Sequence, residues 1–196
     1  MIGVGEIVRS LEGSWRLLVG DERGMRSYDT SIEGFWRSFG VMVACLPMPL
    51  VELTAQRLLP AAGRPEAEAA GGPLFWIVGL AAYALSWIAF PLLLAALAKP
   101  LGIARVYVPY MVARNWTTLI STVPSFVVTT LFVLGLISTK TLGSLNLAAL
   151  GFALYYAWQV TRIACATPFG LTSGLVALDF VLSLVVYTAA DRLIGP

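Results

Sequence analysis

Asp179, Ser183 and Tyr187 recur at every fourth position, and upstream of them Tyr155, Gln159 and Arg162 recur at helical spacing. Glu52 and Gln56 form a further i, i+4 pair. On helices each set shares one face. Carboxylates, a guanidinium and amides so arranged can move a proton, hold an ion or bond one another. The chain has no histidine, which removes the commonest general base, the commonest imidazole metal ligand and the usual haem ligand. Cys45 and Cys165 lack metal-ligand spacing and read as buried apolar thiols. No serine has a histidine or lysine base within a hydrophobic stretch, and Lys140 sits at a boundary. These residues predict no catalytic set, no metal site and no cofactor, and hence no enzymatic activity.

The elements that must position these groups are unusually apolar. Hydrophobic residues make up 58% of the 196 residues and charged residues 12%, and mean hydropathy is +0.81. Soluble domains carry about a quarter charged residues, so little of this chain can face water. Five stretches, about Phe35–Leu59, Pro73–Ala98, Thr117–Ile137, Leu145–Ala166 and Leu171–Ala190, have the length of a bilayer-crossing helix, which is about 20 residues. The expected fold is all-α: an integral membrane bundle of five transmembrane helices (residues 35–196) preceded by a short amphipathic interfacial segment (residues 1–34).

In that segment Val4, Ile7, Val8, Leu11, Trp15, Leu18 and Val19 recur at helical spacing, with Glu6, Arg9, Glu12 and Arg16 on other faces. The apolar face, Leu11 and Trp15 included, is expected either to lie in the headgroup plane or to pack on the spans or on a partner protein. Thr30 and Glu33 fit a capping box that opens the helix leading into the first span. Pro47 and Pro49 predict a kink in that span, freeing the carbonyls of Val43 and Cys45. Ala61 to Gly72 reads as a mobile connection. Between Lys99 and Trp116, Arg105 and Arg114 alternate with Tyr107 and Tyr110, the pattern of an interfacial segment touching lipid or a partner. Thr118, Thr122, Ser125 and Thr129 line one face of the third span, expected as a packing seam for a neighbouring helix, with a hydrophilic conduit as the alternative. Net charge is only +2, too little to argue for nucleic acid.

The last hairpin turns near Pro168 and Gly170, with Arg162 before the turn and Asp179 after it. At about 1.5 Å per residue the two groups lie roughly 7 and 10 Å from the turn, so an ion pair is expected, locking the hairpin. Glu52, Gln56 and Gln159 are the remaining polar candidates inside the apolar stretches. With the N-terminus cytoplasmic, nine of the 13 cations fall on the inner side, which predicts N-in and C-out.

The five-span plan, the stretch Lys99-Pro100-Leu101-Gly102 through Tyr107-Val108-Pro109-Tyr110, and the hairpin Trp158-Gln159-Val160-Thr161-Arg162 with Gly170-Leu171-Thr172-Ser173-Gly174 resemble the Yip family. These are five-span membrane proteins first known as partners of Rab-type GTPases, with bacterial relatives. The resemblance covers about residues 35–190. It implies membrane organisation and no catalysis. The expected protein is a non-enzymatic scaffold or accessory subunit in a bacterial inner membrane, contacting lipids and either other membrane proteins or itself. The alternative is a small transporter or channel using Glu52, Arg162 and Asp179.

Overall fold

The computed structural model describes residues 3–59 and 72–194. Most of the expected connection, residues 61–71, therefore lies outside the described residues. The described chain is all-helical: α1 (Val4–Leu18), a 3-10 turn (Glu22–Ser27), α2 (Ile32–Ser38), α3 (Val41–Ala44), α4 (Pro47–Leu58), α5 (Pro73–Leu97), α6 (Tyr107–Ser121), α7 (Val123–Val133), α8 (Thr139–Cys165) and α9 (Phe169–Ile194).

Four helical stretches are long and apolar enough to cross a membrane: Ile32–Leu58, Pro73–Leu97, Tyr107–Val133 and Phe169–Ile194. This is an integral membrane protein by the length and composition of its helices. The expected fourth span falls within α8, which has the length at 27 residues but not the apolarity. Lys140, Ser144, Asn146, Gln159 and Arg162 dilute it.

The first span is a jointed column of α2, α3 and α4. The cap of α2 is Ser31, whose hydroxyl accepts from the Gly34 amide at 3.0 Å, one residue later than the expected Thr30. Asp29 sets this start by accepting the Ser31 amide at 2.9 Å. The chain breaks again at Cys45 and Leu46, before Pro47 opens α4. The two carbonyls that the prolines free find partners one residue nearer: Val43 accepts from Leu46 at 3.2 Å and Cys45 from Met48 at 3.0 Å. A local 3-10 turn thus satisfies the backbone inside the apolar layer.

α6 starts at Tyr107, ten residues before the expected span, and absorbs most of the basic–aromatic stretch. It continues into α7 at Thr122, where Pro124 occupies the first turn. α6 packs on α8, α5 on α9, and α7 between α4 and α8. The large buried side chains gather at one end of the bundle, including Leu17, Phe90, Leu94, Met111, Trp116, Tyr156 and Val160. Segments distant in sequence meet there: α1, the end of α5, the start of α6 and the end of α8. Toward the other end α5 and α9 share only a small cluster of Ala82, Val186 and Ala190.

α1 belongs to that crowded end. The face it turns inward is small: Ser10, Gly13, Ser14 and Leu17 are buried. The expected apolar face points the other way. Val4, Val8, Trp15 and Val19 are exposed, while Ile7, Leu11 and Leu18 are half-buried.

Candidate functional site

The charge expected to pair with Arg162 pairs elsewhere. Arg114 donates to both oxygens of Asp179 at 2.8–3.0 Å, a bidentate contact between α6 and α9. The two side chains retain only 19% and 22% of their exposure. Arg114 also lies over the Phe90 ring, 5.0 Å from its centroid. Arg162 is exposed in the last turn of α8 and stacks on Trp158 at 5.2 Å, a favourable end of the helix for a cation. The hairpin is tied instead by the Trp158 indole, which donates to Ser173 at 3.2 Å, and by Trp158 against Phe169 at 5.7 Å. Matched depth along the hairpin did not fix the direction in which Arg162 points around its helix.

Arg114 carried a sequence signal. Positions 114, 118, 122, 125 and 129 continue the hydroxyl stripe one turn back, with spacings of four, four, three and four. Starting the span at Thr117 hid that turn.

The pair spans a recess of about 230 Å³ bounded by α6, α8 and α9. Tyr110, Thr117, Thr118, Ser121, Thr161 and Ser183 line it with the pair. Tyr110 is buried and shares a hydrogen bond with Thr161 at 2.9 Å. Tyr107 is half-buried and donates to the Pro91 carbonyl at 2.9 Å. The expected interface of Arg105, Tyr107, Tyr110 and Arg114 is thus reduced to Arg105, which is exposed. The other three stand on successive turns of a helix that faces the core. Farther along, Ser125 donates to Asn146 at 3.0 Å, and Asn146 approaches Thr129 at 3.4 Å, so part of the stripe does meet a neighbouring helix.

Glu52 and Gln56 are exposed and line a second recess of about 400 Å³ with Tyr83, Thr122, Tyr187 and Asp191. Gln159 approaches the Tyr155 hydroxyl at 3.3 Å and, with Arg162, Gly20 and Glu22, borders a shallow surface depression. Cys45 and Cys165 are buried free thiols.

The N-terminal unit is clamped to the bundle by contacts between residues far apart in the chain. Arg37 of α2 grips Glu6 of α1 at 3.1 Å and also Asp29. Ser14 shares a hydrogen bond with Tyr28 at 2.9 Å, and its carbonyl accepts from Tyr156 of α8. Asn115 of α6 donates to Ser38 of α2 at 2.9 Å. Burial pushes the Tyr28 phenol well above its usual range. Asp29 is held below the ordinary carboxylate value, first by its bonds to Ser31 and then by Arg37.

Comparison with family models, curated proteins and solved structures gives no match to this chain.

Proposed function

We propose that the chain is a five-span, N-in and C-out scaffold or accessory subunit of a bacterial inner-membrane assembly, built on the Yip-type plan. α8 serves as the fifth span. At about 1.5 Å per residue its 27 residues cover about 40 Å, and it packs on both α7 and α9. Its polar side chain Asn146 is absorbed by α7, and Arg162 sits in its last turn, where a guanidinium can reach headgroups.

One observation carries the scaffold reading. The α1 unit is tied to the bundle through Arg37, Ser14 and Tyr156, yet it turns Val4, Val8, Trp15 and Val19 outward. Ile32 and Trp36 of α2 are exposed as well. A clamped helix with an outward apolar stripe suits an interfacial element that lies in headgroups or meets a partner. Replacing Leu11 and Trp15 with Asp should release membrane or partner association while the spans stay inserted. Unchanged association would sink the reading. Reporter fusions at Arg64 and at the C-terminus should both read as external; a cytoplasmic C-terminus removes α8 from the count of spans.

The transport alternative draws support from a different feature, the polar recess around Arg114 and Asp179, with Arg162 no longer part of it.

A further inference from the structure

Neighbouring positions on two helices line the two recesses. On α9 the positions 179, 183, 187 and 191 share one face; Asp179 and Ser183 line the first recess, Tyr187 and Asp191 the second. Opposite them, Ser121 borders the first and its neighbour Thr122 the second. Polar side chains therefore follow one another from the Glu52–Asp191 region to Asp179, along a face of a helix apolar enough to span the membrane.

The character of this lining selects for positive charge. Thr117 and Thr118 donate to the Arg114 carbonyl at 3.0 and 2.9 Å, Ser121 and Thr122 to the Thr118 carbonyl at 3.2 and 2.7 Å, and Thr161 to the Ala157 carbonyl at 2.7 Å. Their hydrogens are spent on the backbone, so lone pairs are what they offer the recess. Three carboxylates, Glu52, Asp179 and Asp191, border the route. Among the described residues lining it, Arg114 is the one cation, and Asp179 already neutralises it. Arg114 and Tyr110 of α6 and Tyr156 of α8 line the same recess as Asp179, and α5 carries no charged residue.

We propose that the two recesses form one hydrated track along α9 through which protons or a small monovalent cation reach the Arg114–Asp179 pair. The inner end of the track is stopped by the packed core at Tyr110, Tyr156 and Val160. This goes beyond the scaffold reading and does not depend on it, because none of the residues lining the track belongs to α1 and the track needs no partner.

The test is thiol access in vesicles holding the full chain. Ser183→Cys places a thiol inside the track, and Val181→Cys places one at similar depth on the exposed side of α9. The unsubstituted chain controls for the two buried native cysteines. Paired membrane-impermeant thiosulfonates of similar size, one cationic and one anionic, are applied from the side of the α4–α5 connection. The cationic reagent should modify Ser183→Cys about tenfold or more faster than the anionic one, as focusing by like-charged walls requires. Val181→Cys should stay unmodified. Glu52→Gln with Asp191→Asn should erase the preference without touching the pair. Sodium or potassium that slows the cationic reagent at fixed pH identifies an alkali cation as the occupant, and slowing by acid alone identifies the proton. No labelling of Ser183→Cys, equal rates for the two reagents, equal labelling of Val181→Cys, or indifference to both cations and acid would each overturn the track.

Discussion

Gly13 and Gly24 press backbone against backbone where α1 meets the 3-10 turn. A Cβ on Gly13 would lie 2.8 Å from the Gly24 carbonyl oxygen, and one on Gly24 would lie 2.6 Å from that of Gly13. Neither neighbour is a flexible side-chain tip, so the clash cannot relax by rotation. Gly24→Ala should destabilise the N-terminal unit by about 1–3 kcal/mol, the range for overpacking, and Gly13→Ala by a similar amount. Limited proteolysis near residue 20 reads the release. Equal protease resistance in both variants would show that the turn can move aside.

Removing one member of the Arg114–Asp179 pair strands the other charge. Asp179→Asn or Arg114→Gln should each cost about 3–5 kcal/mol, whereas an uncharged double replacement should cost less than the two losses together. Thermal unfolding in detergent of the four proteins closes the cycle. Arg162→Gln should stay within about 0.5 kcal/mol of the parent, as exposed substitutions do, because Arg162 does not touch Asp179. A loss with Arg162→Gln as large as with Arg114→Gln would return the pairing to the hairpin.

Tyr156→Phe removes the hydroxyl that donates to the Ser14 carbonyl. The loss should be about 0.5–1.5 kcal/mol, and it should appear in the docking of residues 4–27 and not in the insertion of the spans. Hydrogen exchange of α1 amides should rise in the variant. Unchanged exchange there would place the bond outside the energetics of the clamp.

Acid should loosen the same unit. Asp29 titrates below its ordinary value of 3.8 in the folded protein, so its contribution is present above that value and fades as pH falls through the lower, folded one. Asp21, lowered chiefly by its bond to Arg23, follows the same sign. Protease protection of the N-terminal unit should be level between pH 7 and pH 5 and drop only below about pH 4, given unfolded carboxylates near 3.9. A drop centred near neutrality would point to a different group.

Hydropathy made the membrane character legible, because a charge deficit and long apolar runs have few other solutions. Pro47 and Pro49 made the joint in the first span legible, because a missing amide acts locally. Local rules erred by small steps: Ser31 caps α2 where Thr30 was expected, because Asp29 fixes the preceding turn. The larger errors were tertiary. Periodicity found the apolar stripe of α1 but could not say that Ser10, Gly13 and Ser14 would face the bundle, since small residues signal close approach only when a partner is known. The Tyr156–Ser14 bond joins positions 142 apart, and no local pattern encodes it. Arg114 was within reach of the spacing argument and was lost to a span boundary drawn by hydropathy alone.

The joint at Cys45 and Leu46 has a mechanical consequence. A continuous helix meets a thicker or thinner bilayer by tilting as a whole, and would drag its neighbours with it. A first span divided into α2, α3 and α4 can bend between its pieces. Tyr83 holds the Met42 carbonyl at 2.7 Å, which ties α3 to α5. Bending beyond that tie would move α4, which lines the second recess, and would leave the Arg114–Asp179 strut between α6 and α9 in place.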